Sequence, residues 1–559
     1  MNTFSPRPWS GVLRVARLAA IALPFACIPA SLHASRSSAN YSQPSEAFSS
    51  GVLRATSANY TTDSTVDIPW AGSSNAGAPH NYAVGIGHIP QLYWVPDLDG
   101  DGIPDPDDLD DDGDGWADDF ELAVGSDPRN AASMPSETGN GDKDIWSNAF
   151  ELLFGLDGGT FDIDCPVIFG TAAIGEDIHV TYTLTRKSDL SVLSSGLEVS
   201  FSSNPNTGFV AIAAKSSIEA GDGFQQDTFL DPVPVNDNGV ITQRFGRIMV
   251  ARQSAETYGT LPILITGDVD DTVTSATLTR FSVPVVGTMI GRGSVTSATV
   301  STLTDDNAAF GTITPGKFYV AITSGVNEGA QATIARNTAN QLTLDTDLSG
   351  LSVIGQTYEI RKHITIGSLF GDDNQTGLHE AGNSSDADDV LLTTPGGVET
   401  FFYSPAVPEG WKDSAVNDAV DEPIEQSIPV TVRRRVTGNL AIYPTGAVRR
   451  VPTRVSIAAT GYTFIAMPNI NPIPLADLGL DDLVTRGRNP VEGDNLLVFD
   501  HDGILTRYFY LDFGGTTGWY DSAFNLAGLI PAGATIIYQR KSGGAFEWNV
   551  PTSTPLPAP

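Results

Sequence analysis

Carboxylates and amides recur at alternate positions between Asp97 and Glu151. Hard oxygen ligands at that spacing suit calcium, which takes about six to eight of them in a flexible cage. In a twelve-residue loop they stand at about positions 1, 3, 5, 7, 9 and 12, with position 7 giving its backbone carbonyl and position 12 a closing carboxylate. One loop reads Asp97, Asp99, Asp101, the carbonyl of Ile103, Asp105 and Asp108, with Gly102 at the sharp turn. The next reads Asp110, Asp112, Asp114, the carbonyl of Trp116, Asp118 and Glu121, with Gly115 at the turn. A third reads Asn140, Asp142, Asp144, the carbonyl of Trp146, Asn148 and Glu151. It has Ile145 where the turn glycine is expected and two neutral amides among its ligands, so weaker binding or distorted geometry is expected there.

The second and third loops form an internal repeat. FELAVGSD at 120–127 aligns with FELLFGLD at 150–157, a shift of thirty residues that also maps Trp116 onto Trp146 and Asp112 onto Asp142. Each loop should run into a short helix from Asp118 or Asn148, ending at Gly125 or Gly155, with Phe120, Val124, Phe150, Leu153 and Phe154 on the apolar face. No helix is expected to enter the loops, because IPQLYWVP before Asp97 carries two prolines. A plain acidic linker is the competing reading of such a charge run. The fourteen acids from Asp97 to Asp127 are instead spaced as ligands, with glycines at the turns.

The DxDGDGxxD core over about residues 97–157 resembles the thrombospondin type 3 repeat, with some likeness to the dockerin loop. The resemblance implies a structural calcium array that stiffens a stalk or linker. The cysteines that accompany the repeat in animal proteins are lacking, which fits a short bacterial form.

The 559 residues carry 31 basic and 66 acidic side chains, a net charge of −35. Nucleic acid is an unfavourable partner at that charge, and divalent cations are the expected counterions. Residues 1–34 read as a secretory signal, with Arg7, Arg14 and Arg17 before an apolar core at 18–28. The chain is therefore expected to be secreted or on the cell surface, a lipoprotein through Cys27 being a lesser alternative. No membrane span is expected in the mature chain. Past the signal only Cys165 remains, so calcium loops would take the stapling role that disulfides often fill in exported proteins.

The fold expected is mostly β: several antiparallel β-sandwich-like domains joined by a calcium-loop array with short helices. Residues 35–93 are a Ser/Gly-rich β-repeat segment in which SANYS recurs as SANYT, and 94–158 hold the calcium loops. Alternating apolar positions and turn residues mark a sandwich over 160–285, a small β unit over 286–362 and a C-terminal β-rich domain over 363–559. LADLGLDDLVTRG at 475–487 is the one reasonable helix there. The stretches KFYVAITSGVNEG, SDADDVLL and IPAGATIIYQRKSGGAFEW look like a family of uncharacterised exported proteins from verrucomicrobial-type bacteria, over about residues 287–551. That likeness implies export and β architecture and carries no functional residue across.

Catalytic signatures are lacking. His379-Glu380 begins a zinc helix motif, but Asn383 stands where the second His must be. The near P-loop at Gly311 has Phe318 in place of Ser/Thr, and there is no GxSxG. Asp372, Asp373, Asp386, Asp388 and Asp389, beside His363 and His379, read as a solvated acidic loop, with a further metal site or a glycosidase carboxylate pair as minor alternatives. Arg433–Arg435, Arg449, Arg450 and Arg454 read as internally paired or solvated, and otherwise as a grip for an anionic polysaccharide. Trp411, Trp519 and Trp548 read as core before sugar platforms. The expectation is a non-enzymatic, calcium-binding structural, adhesion or scaffold protein, its partners calcium ions and an extracellular polysaccharide or another surface protein. The alternative is a secreted polysaccharide-active enzyme or carbohydrate-binding protein using the array as a linker.

Overall fold

The computed structural model describes seven strands between residues 36 and 95 by their backbone, and residues 96–553 apart from 164–165, 222, 237–241, 252, 255, 268–275, 346–350 and 501–502. Residues 1–34, where a signal segment is expected, and Cys165 lie outside the described residues. Strand accounts for 41% of the chain and helix for 6%, so the mostly-β class holds. The chain divides into two units, 1–108 and 109–559.

In the first unit, Arg36–Ser38, Tyr41–Gln43, Leu53–Ser57, Tyr60–Ser64, Trp70–Ser74, Asn81–Val84 and Leu92–Val95 pair in chain order as one antiparallel meander. Both SANY repeats run into a strand, Tyr41–Gln43 and Tyr60–Ser64. The first acidic loop follows the last strand.

The second unit opens on the other two loops and their helices, α1 (Asp118–Val124) and α2 (Asn148–Phe154), each ended by a left-handed glycine, Gly125 or Gly155. These helices are built into a sandwich. One sheet runs Val210–Ile212, Glu198–Ser202, Arg244–Val250, Tyr258–Thr260 and Thr445–Ala447. The other runs Ser216–Gly221, Phe224–Leu230, Asp177–Lys187 and Val167–Ile174. Alternation along Asp177–Lys187 turns Val180, Tyr182 and Leu184 inward, where they meet Trp116, Phe120, Trp146, Phe150, Leu153 and Phe154 in one core. The second and third loops are therefore part of the sandwich rather than a free-standing linker.

Sheet pairing crosses the boundaries expected at 285 and 362. Thr277–Phe281, Val430–Arg434, Asp389–Thr394, Gly397–Ser404 and Gly410–Asp413 form one five-stranded sheet in that order. Two side pairs flank it: Ile263–Ile265 with Leu440–Ile442, and Ile364–Thr365 with Pro423–Ile424. The same pattern recurs downstream. Gly461–Ala466, Thr535–Arg540, Asn495–Phe499, Leu505–Phe513 and Thr516–Asp521 form the second sheet. Its side pairs are Thr453–Ile457 with Phe546–Val550, and Ile473–Pro474 with Leu529–Ile530. The chain thus carries one β domain twice. The copies share WxDSAxN, at Trp411–Asn417 and Trp519–Asn525.

Each copy has a separate core. A short helix, α3 (Ile366–Phe370), follows the inner side pair in the first copy. The second has only the 3-10 turn Leu475–Leu478 at that place, ended by left-handed Gly479, which corrects the helix expected over 475–487. The first copy is also interrupted. Between Phe281 and Ile364 the chain makes a seven-stranded sheet over residues 289–362, with its own core around Ile290, Leu303, Phe318, Ile334, Leu342 and Ile360.

The arginine stripe is paired internally. Buried Asp388 accepts from Arg434 Nη1 (2.9 Å), and buried Asp389 bonds Arg433 and Arg435. Buried Arg449 donates to Thr453 and Asn469, and Arg454 meets Glu547 at 3.4 Å. The acidic loop at 372–389 does not form a cluster. Asp372, Asp373 and His379 are exposed, while His363 is buried with its ring 4.9 Å from that of Tyr319. Burial pushes His363 down to about 4. Trp411, Trp519 and Trp548 are all buried, their ring N–H groups donating to Gly371 O, Asp481 Oδ1 and Leu478 O.

Candidate metal centre

Three groups of acidic side chains lie close enough to share a cation among the described residues, and all belong to the predicted loops. They are Asp97, Asp99 and Asp101; Asp110, Asp112 and Asp114; and Asp142, Asp144 and Glu151, each with ligand atoms within 4.8 Å of one another. One backbone bond closes every loop: the N–H of position 9 donates to the carbonyl just before position 1. It runs from Asp105 to Pro96 (2.8 Å), from Asp118 to Leu109 (2.9 Å) and from Asn148 to Gly139 (2.9 Å).

In the first loop the position-1, -3 and -5 side chains also accept from the loop's own backbone. Asp97 takes Gly100 N (2.9 Å), Asp99 takes Asp101 N (3.0 Å) and Asp101 takes Ile103 N (2.7 Å). Asp105 is buried and accepts from Leu98 N at 2.9 Å. Asp108 is half-buried, and its carboxylate is not in the group. The left-handed turns are at Gly100 and Gly102.

The second loop has the same framework. Asp110 accepts from Gly113 and Gly115, Asp112 from Asp114, Asp114 from Trp116 and Asp118 from Asp111, with Gly113 and Gly115 left-handed. Glu121 stands next to the trio, 0% exposed, and neither of its carboxylate oxygens has a hydrogen-bond partner; nor do Asp112 Oδ2 and Asp114 Oδ2. Burial, with the charges of Asp114, Asp112 and Asp110 behind it, pushes Glu121 up to about 7 against a smaller lowering pull from the Ser126 hydroxyl. Burial also raises Asp110 and Asp112. Trp116 packs on Phe120 with ring centres 5.1 Å apart, so the loop's exit is held by the sandwich core.

The third loop is the most deeply buried. Asp142, Asp144 and Glu151 are 3%, 1% and 0% exposed. Asn140 Oδ1, Asp142 Oδ2, Asn148 Oδ1 and both oxygens of Glu151 lack hydrogen-bond partners. Its backbone departs from the other two as the sequence suggests. Position 4 keeps the left-handed turn through Lys143 (φ 66°), whereas Ile145 at position 6 does not adopt one. Asn140 Nδ2 instead donates to Asp144 O at 2.9 Å. Burial raises all three acids: Asp142 to about 6, Asp144 to about 8 with the help of Asp142, and Glu151 to about 9 with the help of Asp142 and Asp144.

Two acids absent from the twelve-residue pattern stand near this site, Asp157 and Asp162, and both charges bear on Asp142 and Glu151. Asp162 N also donates to Asp144 Oδ2 at 3.2 Å. The thirty-residue repeat maps Asp162 onto Ala132, so the repeat carries no sign of it.

Buried carboxylates without donors are costly, and a native fold compensates them with a cation or a proton. The available donors are carboxylate and amide oxygens, the set a hard cation such as calcium takes. No protein-family model, curated protein or solved structure matches the chain, and the site is read from its own geometry.

Proposed function

We propose that this is an exported calcium-binding structural protein, an adhesion or scaffold component whose β domains are stiffened by calcium at the acidic loops. The observation that carries the reading is Glu151: wholly buried, at position 12 of its loop, with neither oxygen bonded and Asp142 and Asp144 at its side. Glu121 repeats the arrangement one loop earlier. Calcium binding would cancel the repulsion between these carboxylates. Because α1 and α2 contribute to the sandwich core, binding energy at the loops becomes folding energy of that domain. Millimolar calcium outside a cell suffices even for weak extracellular modules.

The reading leaves the duplicated β domains as the parts that meet a partner, an extracellular polysaccharide or another surface protein. The tryptophans that would serve a sugar site are occupied in the cores, which favours the structural reading over a carbohydrate-active one. Calorimetric titration of the chain with calcium tests the proposal. Two or three sites are expected, and the paired change Asp112→Ala and Asp142→Ala abolishes binding at the second and third loops. An absence of heat at millimolar calcium refutes the reading.

A further inference from the structure

The third loop stands where two hydrophobic cores meet. On one side, Trp146, Phe150, Leu153 and Phe154 belong to the core of the sandwich. On the other, Asp144 forms a backbone bridge with Gly291 in the first strand of the inserted sheet, and Lys143 Nζ donates to the carbonyl of Asn307. The chain leaving α2 then enters the inserted domain. Phe161 is part of its core, edge-on to Phe310 at 5.8 Å. The contact is close: a Cβ on Gly291 would come within 2.6 Å of the Phe161 ring, and one on Gly311 within 2.8 Å of its carbonyl. Asp162, the next residue, reaches back to Asp144 through its N–H. Apolar packing does not close the seam, since a cavity of about 310 Å³ lined by Trp146, Phe150, Tyr258, Met289 and Arg292 lies alongside the loop.

From this placement we propose that Asp162, outside the twelve-residue loop, helps to coordinate the cation of the third loop, and that this ion locks the inserted seven-stranded sheet onto the sandwich. The inference rests on the calcium reading above. The unbonded oxygens of Asp142, Asn148 and Glu151 are all buried, so the cation has ligands carried by both bodies: Asn148 and Glu151 on the sandwich helix, Asp142 and Asp144 on chain fixed to the insert. The Asp162 carboxylate stands outside the close group of Asp142, Asp144 and Glu151 and joins it on the bound ion. Such an ion holds the two cores in one register, and losing it frees the insert to move against the sandwich.

Hydrogen exchange of the full chain at increasing calcium, read over 110–121, 142–162 and 289–310, tests the inference. In the wild type calcium slows exchange in all three segments. Asp162→Ala raises the calcium needed for half-protection of 142–162 and 289–310 by about 10–100-fold, the cost of losing a supporting oxygen at a metal site, and leaves 110–121 unchanged. Exchange in the strand Asp177–Lys187, read in the same sample, shows that the variant is folded. An unchanged midpoint in the variant, or protection that stops at residue 162 and never reaches 289–310, overturns the inference while the calcium reading stands. No calcium protection at 110–121 in the wild type overturns both.

Discussion

Stripped of divalent cations by a chelator, the protein loses stability as the pH rises from about 5 to about 9, and millimolar calcium removes most of that loss. The sign follows from the buried acids. Glu121, Asp142, Asp144 and Glu151 are held in the fold at about 7, 6, 8 and 9, from ordinary values of 4.5 or 3.8. Between the ordinary and the raised values the folded state retains protons that the unfolded chain has released, so each step up in pH favours unfolding. Below the ordinary values both states are protonated and the penalty is absent. Calcium takes the place of the protons. Its binding releases them, and its apparent affinity rises with pH through the same window. At a free concentration about 1,000 times the dissociation constant, one site contributes about 4 kcal/mol. Thermal unfolding across the pH range, with chelator and with calcium, measures both effects. Parallel pH curves in the two conditions would exclude cation binding at these acids.

Asp494→Ala destabilises the second copy of the duplicated domain by about 3–5 kcal/mol, and Asp388→Ala does the same to the first, because each leaves a buried arginine without its counter-charge. Three bonds are common to the two sites, and Asp494 Oδ2 also accepts from the Tyr538 hydroxyl (2.9 Å), which has no counterpart at Asp388. Asp494 Oδ2 accepts from Arg540 Nη1 (2.6 Å) and Thr485 N (2.8 Å), and its Oδ1 from Lys541 N (2.7 Å). Asp388 Oδ2 accepts from Arg434 Nη1 (2.9 Å) and His379 N (2.9 Å), and its Oδ1 from Arg435 N (2.6 Å). In each copy the aspartate ties a sheet strand to the loop before it. Urea unfolding of the two variants, with calcium present throughout, is the measurement. A cost below about 1 kcal/mol in either would mean that the pair is replaceable by solvent, as at an exposed bridge.

The paired copies also show what was legible and overlooked. WKDSAVN and WYDSAFN stand 108 residues apart in the sequence, a signal as readable as the thirty-residue repeat of the loops. In each copy the Asp accepts from the Asn four residues later, Asn417 Nδ2 to Asp413 and Asn525 Nδ2 to Asp521, both at 2.9 Å. What concealed the relation is the insert over 289–362, which separates Thr277–Phe281 from the rest of its sheet. Strand pairing over such distances is set by which surfaces meet, and local alternation carries no record of the partner.

Residue types and spacing by themselves determined the acidic loops, the left-handed glycines that end α1 and α2, and the mostly-β class. Each of these rests on short-range causes: a twelve-residue ligand frame, a backbone conformation that glycine adopts without strain, a period of two along a strand. Only the tertiary structure decided that Glu121 and Glu151 are buried without partners, that Arg433, Arg434 and Arg435 are paired with Asp388 and Asp389, and that Asp162 stands next to the third loop. Those outcomes depend on surfaces brought together from distant parts of the chain. A carboxylate's surroundings, and so its charge and its need for a cation, are fixed by what packs over it.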